Sequence, residues 1–214
     1  MDALDEVTPI CADEMELISD RLMKDCASRG MEDSMRDFLR EPFARWMDML
    51  AAEPSALDKP TRGRMLSRDD AGALAAAMRS AFAVRDAMLV SIIVGEDRSS
   101  REFLMGFMTH PTAPGNARRL EKLLNASFHD AAAGPDSDRC DTGVTMLFDI
   151  IDLVPERYQV QPLAVISYVL WWMGDERAML CAMRALALDE ECSLAAIICS
   201  ATHRHIGPAW AEKT

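Results

Sequence analysis

The stretch Gln161 to Glu190, QPLAVISYVLWWMGDERAMLCAMRALALDE, decides the fold. Pro162 suits the first turn of a helix, where its missing N–H has no partner to lose. Leu163 to Met173 are apolar or small on every side, which for a helix means burial on most sides. Gly174 and Asp175 make a turn. A second helix then places Ala178, Cys181, Ala182, Ala185 and Leu186 on one face, small side chains that let two helix axes approach closely. The segment predicts a helical hairpin, and a third helical run, SLAAIICSATHRHIG, follows it and stops at Gly207-Pro208.

Outward from the hairpin, the same helical spacing recurs. Met15, Ile18, Leu22 and Cys26 share one face, with Gly30 placed as a stop, and Leu39, Phe43, Trp46, Met47 and Leu50 share another. Pro42 lies inside that second stripe, so the segment is either two helices or one with a kink. Ser67 before RDD is an N-cap with acidic residues in the first turn, opening a long apolar run that breaks near Ser80 and ends at Gly95. SSREFLMGFMTH is a further helix, and NARRLEKLLNASF follows with Leu120, Leu123, Leu124 and Phe128 on one face. HDAAAGPDSDRCDTG is small and polar and predicts a surface loop; after it Val144, Leu147, Phe148 and Ile151 form the next apolar face.

These segments predict an all-α fold, a helical bundle ending in the hairpin. Glu53 to Arg64 concentrates Pro, Ser, Asp and Gly, and is the linker candidate. It divides residues 1–60, a pair of N-terminal helices packed on or linked to the rest, from a helical domain over residues 64–214.

Composition narrows the function classes. The net charge of −12 is carried mainly by the ends, with 15 acidic and 7 basic residues in 1–60 and 10 against 5 in 141–214. Such a surface repels phosphate backbones, so no nucleic acid and no anionic membrane is expected as a partner. Leu163 to Met173 is too short for a span of about 20 helical residues. The first ten residues, MDALDEVTPI, lack the positive start of a secretory signal, so a cytoplasmic setting is expected. Six cysteines (Cys11, Cys26, Cys140, Cys181, Cys192, Cys199) lack zinc-ribbon spacing and read as reduced core residues, although Cys181, Cys192 and Cys199 could meet across helices.

The hairpin resembles a single tetratricopeptide-like repeat, shortened by one residue in the turn and with Glu190 where a proline is usual. A wider resemblance lies in three pieces in order, AVRDAML at Ala83 to Leu89, PLAVISYVLWWMGDERAMLCAMRALALDEECSLA at Pro162 to Ala195, and IGPAW at Ile206 to Trp210. Together they resemble the C-terminal half of an actinobacterial family catalogued as domain of unknown function 4192, loosely from residue 65 and specifically in the last 50 or so residues. The resemblance implies a helical C-terminal domain and a bacterial cytoplasmic setting, in a divergent member or a C-terminal piece of a longer protein. It brings no activity and no catalytic residues.

Adjacent helical residues point about 100° apart, so Trp171 and Trp172 cannot face the same neighbour. One is expected in the core and the other at a groove, a subunit interface or the preceding domain. With Tyr168, the tryptophans form the candidate interaction surface, since tryptophan is enriched among interface hot spots. His203 and His205 diverge on a helix, and of Cys, Asp and Glu only Cys199 lies within four residues, too few ligands to complete a site, so no metal site is expected there. Glycine-rich phosphate loops and nucleophile elbows are lacking in the sequence, and no cofactor is expected. The expectation is therefore a non-enzymatic module that binds a protein partner or itself. A small-molecule binder or enzyme with an inter-helical pocket, given polarity by His110 or His129, is the competing class; an accessory domain of a longer protein is a third.

Overall fold

The computed structural model describes residues 8–52, 64–132 and 134–211. Among these the chain forms ten α-helices and one 3₁₀ turn, with no strand. The proposed linker falls almost wholly on residues 53–63, outside the described residues.

α1 (Ala12–Arg29) starts where the Glu14 carboxylate accepts the Cys11 amide at 3.0 Å, and Glu14 also pairs with Arg68 at 2.6 Å. Gly30, at φ +91°, ends α1 and begins α2 (Met31–Ala51), a left-handed position that a side chain would strain. α2 runs unbroken through Pro42. The buried stripe of Met35, Leu39, Phe43, Trp46, Met47 and Leu50 lies on both sides of the proline, so packing holds the helix across the missing amide.

α3 (Arg68–Ser80) opens on Ser67, whose hydroxyl accepts the Asp70 amide at 3.1 Å. The expected break follows Ser80, whose hydroxyl donates back to the Ala76 carbonyl at 2.8 Å, and Ala81 is extended. α4 (Phe82–Ile93) ends ahead of Gly95, because Val94 already leaves the helix. α5 (Arg101–Thr109) and α6 (Asn116–His129) follow as expected.

α7 (Ser137–Leu153) corrects the loop expected up to Gly143. Asp136 caps it, accepting the Arg139 amide at 3.1 Å, and the polar run Ser137–Gly143 forms its first two turns. Gly143 is needed for close approach: a Cβ there would stand 2.7 Å from Ile92 Cγ1. The buried face of α7 comprises Cys140, Gly143, Met146, Leu147, Ile150 and Ile151, while Phe148, expected inside, is 39% exposed.

α8 (Val160–Met173) is the hub, packed against α3, α4, α7, α9 and α10. Its all-round apolar composition follows from that position. Gly174 is left-handed at φ +76° and turns the chain into α9 (Arg177–Leu188), whose buried Ala178, Cys181, Ala182 and Ala185 lie against α8. α10 (Ser193–His203) stops short of Gly207, since Arg204 caps it and His205 takes a positive φ. α2 packs on α3, α5 and α7, so the first two helices share a contiguous apolar core with the rest. Trp46 Nε1 donates to Ser91 Oγ at 2.9 Å across that junction, and the Arg139 guanidinium donates to the carbonyls of Ser91 and Leu50. Among the described residues, no helix is long and apolar enough to cross a membrane.

Candidate functional site

The structure divides the candidate trio. Trp172 points into the core, 1% exposed, with its ring edge-on to Trp210 at 6.3 Å. It contributes no surface, because helical geometry turns it away from Trp171 and onto the C-terminal segment. Trp171 is half-buried: it stacks on Phe128 at 6.1 Å and donates from Nε1 to the Ile206 carbonyl at 2.9 Å. Tyr168, edge-on to Trp171 at 5.2 Å, is also half-buried, and burial pushes its hydroxyl pKa up to about 12. The adjacent tryptophans clasp one piece of chain, Ile206 to Trp210, from two sides.

A solvent-facing apolar site lies instead between α7 and α9. Val144 and Phe148, four apart, come from α7; Leu163 and Leu170, seven apart, form the floor on α8. Arg177, Leu180, Cys181 and Arg184 come from one face of α9 at helical spacing. Together they bound a groove of about 180 Å³. Leu163 and Leu170 are buried, whereas Leu180 on the wall is 69% exposed. Met183, also exposed, extends the apolar strip along α9.

The groove's polar groups are basic. Arg177 forks onto Asp175, with Nη2 at 2.6 Å, and that hydrogen bond holds the Asp175 carboxyl below its ordinary range. Arg184 reaches Gln159 Oε1 at 3.4 Å and makes no ion pair among the described residues. Burial pushes the Cys181 thiol up while both arginines pull it down. With its thiol protonated, the groove is suited to holding an apolar segment rather than to attacking one.

The other sequence candidates stand apart from the groove. His110 Nδ1 lies 2.9 Å from Glu32 Oε2 at the surface, and His129 is exposed with its ring against Phe128. Neither borders the groove between α7 and α9. His203 and His205 are exposed, the six cysteines are free, and among the described residues no three His, Cys, Asp or Glu side chains gather as a metal site. Phe148, Leu180 and Arg184 were not singled out as site residues from sequence. The available signal was the contrast on α9 between the small buried stripe and Leu180 and Met183 opposite it.

Among the described residues, fold and groove define an all-helical architecture with an open apolar cleft beside an arginine that makes no ion pair. Comparison with known proteins adds no relative: no family model, no curated protein and no solved structure matches the chain.

Proposed function

We propose that this protein is a helical interaction module that docks an amphipathic, acid-flanked segment of a protein partner in the groove between α7 and α9. The observation that carries this reading is the exposure of Phe148 and Leu180 around a buried leucine floor, next to Arg184, which makes no ion pair among the described residues. A helix laid in such a groove inserts apolar anchors at i, i+3 or i+4 and i+7. An acidic residue beside those anchors would find Arg184, which is positive on a chain of net charge −12. The resemblance of the Gln161–Glu190 sequence to a tetratricopeptide-like hairpin is in keeping with this use, and free thiols suit a reducing compartment, the cytoplasm. The family resemblance supplies no activity, so the proposal rests on the surface alone.

A photo-crosslinking residue at Leu180, with one at the exposed Met23 on α1 as control, tests it. The expected result is an adduct from Leu180 alone, mapped by mass spectrometry to an amphipathic segment with acidic flanks. Adducts on a second copy of this chain would make the groove a self-association face instead. Equal adducts from both positions would remove the groove from consideration.

A further inference from the structure

A second pocket, of different chemistry, lies where the ends of several elements meet. It is bounded by Arg79 at the end of α3, Phe82 at the start of α4, Arg157 and Tyr158 in the 3₁₀ turn Glu156–Tyr158, Gln161 in the first turn of α8 and Asp189 after α9. Its volume is about 240 Å³, below the roughly 300–1,000 Å³ of drug-sized sites. Its occupant is therefore small.

We propose that this pocket binds a small oxyanion carried on a planar ring, an aryl carboxylate or aryl phosphate. The break at Ala81 sets Phe82 outward, leaving the residue 59% exposed, with the Arg85 guanidinium 4.8 Å from the ring centroid. Tyr158 lies beneath two guanidiniums, those of Arg79 at 5.5 Å and Arg157 at 5.0 Å from its centroid. Its hydroxyl is engaged with Met15 O and Ser19 Oγ, so the ring acts as a floor. Arg157 is anchored by Glu16 at 2.8 Å. Arg79 donates one N–H to the Arg157 carbonyl at 3.1 Å and makes no ion pair among the described residues.

The observation that points to an acceptor ligand is Gln161. It is 9% exposed, and its Oε1 accepts from Arg85 Nη1 at 3.3 Å. That bond orients the amide, and its Nε2 has no acceptor among the described residues although the side chain lines the pocket. This NH₂ is not sealed from solvent, and a ligand oxygen beside Arg79 would replace its water and bond both groups at once. Guanidinium favours carboxylate and phosphate through its planar fork, and the exposed Phe82 face offers a stacking platform for a ring. Asp189 opposes them from the rim, which limits anion affinity and excludes a second anionic group on that side.

The full chain is titrated with phenyl phosphate, benzoate, inorganic phosphate and neutral benzyl alcohol while the Gln161 side-chain amide is followed by NMR. Phenyl phosphate or benzoate is expected to shift that amide, and to bind at least about tenfold more weakly to Arg79→Gln, the loss of one charge-assisted hydrogen bond. Arg79→Lys should retain part of the affinity. Asp189→Asn should tighten binding, a change of opposite sign that a general loss of structure would not produce. Phe82→Ala should weaken the aryl ligands and leave inorganic phosphate unchanged, whereas equal loss for both would remove the ring from the proposal. No Gln161 shift with any anion at about 10 mM, equal shifts with benzyl alcohol, or an Arg79→Gln protein that binds like wild type would each overturn it.

Discussion

Trp171 Nε1 donates to the carbonyl of Ile206 at 2.9 Å, tying the last turn of α8 to the chain beyond α10. Because Trp172 stands about 100° round the helix, the same two positions also send an indole into the core against Trp210. Their substitutions should therefore differ sharply. Trp171→Phe keeps a ring on Phe128 and loses one hydrogen bond, an expected cost of about 0.5–1.5 kcal/mol. Trp172→Ala empties a fully buried site and should cost about 3–5 kcal/mol. Urea denaturation measures both, and equal losses would mean that Trp171 is as much a core residue as its neighbour.

Gly143 makes a packing prediction of the opposite kind. A Cβ at this position would meet Ile92 Cγ1 at 2.7 Å and Cδ1 at 2.9 Å, with both helices otherwise well buried. Ile92 is β-branched and stiff in a helix, so it cannot swing aside cheaply. Gly143→Ala should destabilise by about 1–3 kcal/mol despite the better helix propensity of alanine. Combined with Ile92→Ala, which opens space, the loss should be less than the sum of the two. Strict additivity in that double-mutant cycle would show that the two positions do not touch.

The legibility of these features differed for physical reasons. Ser67, Gly30 and Gly174 act through local chemistry, a cap or a left-handed turn, and such signals stay within a few residues of sequence. The tryptophan divergence follows from helix geometry alone. The start of α7 was hidden because Asp136, Ser137 and Asp138 are turn formers as well as helix-start residues, and Gly143 looks like a breaker until its contact with Ile92 is known. Phe148 misled because α7 is apolar on two flanks, Val144/Phe148 and Met146/Ile150, and periodicity does not say which faces the core. The anion pocket joins positions from 79 to 189, and nothing local announces it.

Alkaline pH should loosen the fold through two groups that burial perturbs. Burial pushes the Cys140 thiol from 9.0 up to about 12, with Asp136 and Asp141 adding to the rise and Arg139 opposing it. Burial also pushes Tyr168 from 10.0 up to about 12. A group whose folded pKa exceeds its unfolded value contributes stability below the unfolded value and loses it as pH rises through the folded one. Stability should therefore fall between about pH 9 and 12, by at most about 1.4 kcal/mol per pH unit per group. Cys140→Ala and Tyr168→Phe should each flatten the decline in urea midpoint over that window. A decline unchanged in the double variant would assign it to other groups. In the native protein near pH 8, the exposed Cys11 should react with maleimide well before Cys140.

The groove makes the most discriminating prediction, because its walls and floor respond differently. Leu180 is exposed, so Leu180→Asp should change stability by no more than about 0.5 kcal/mol. If Leu180 is an anchor for the docked segment, the same change should weaken binding by about 2 kcal/mol or more, the scale of an interface hot spot. Leu163→Ala, on the buried floor, should instead cost about 2–5 kcal/mol of stability whether or not a partner is present. Arg184→Gln removes a solvent-facing cation, and its main effect should be a slower association rate and a weaker dependence on salt. Cys181, beneath Leu180 in the groove, serves as a reporter: an occupant should slow its modification while leaving Cys11 unaffected. These measurements separate docking from folding. A Leu180→Asp protein that is stable and still holds the crosslinked segment at wild-type affinity would place the interaction on another face.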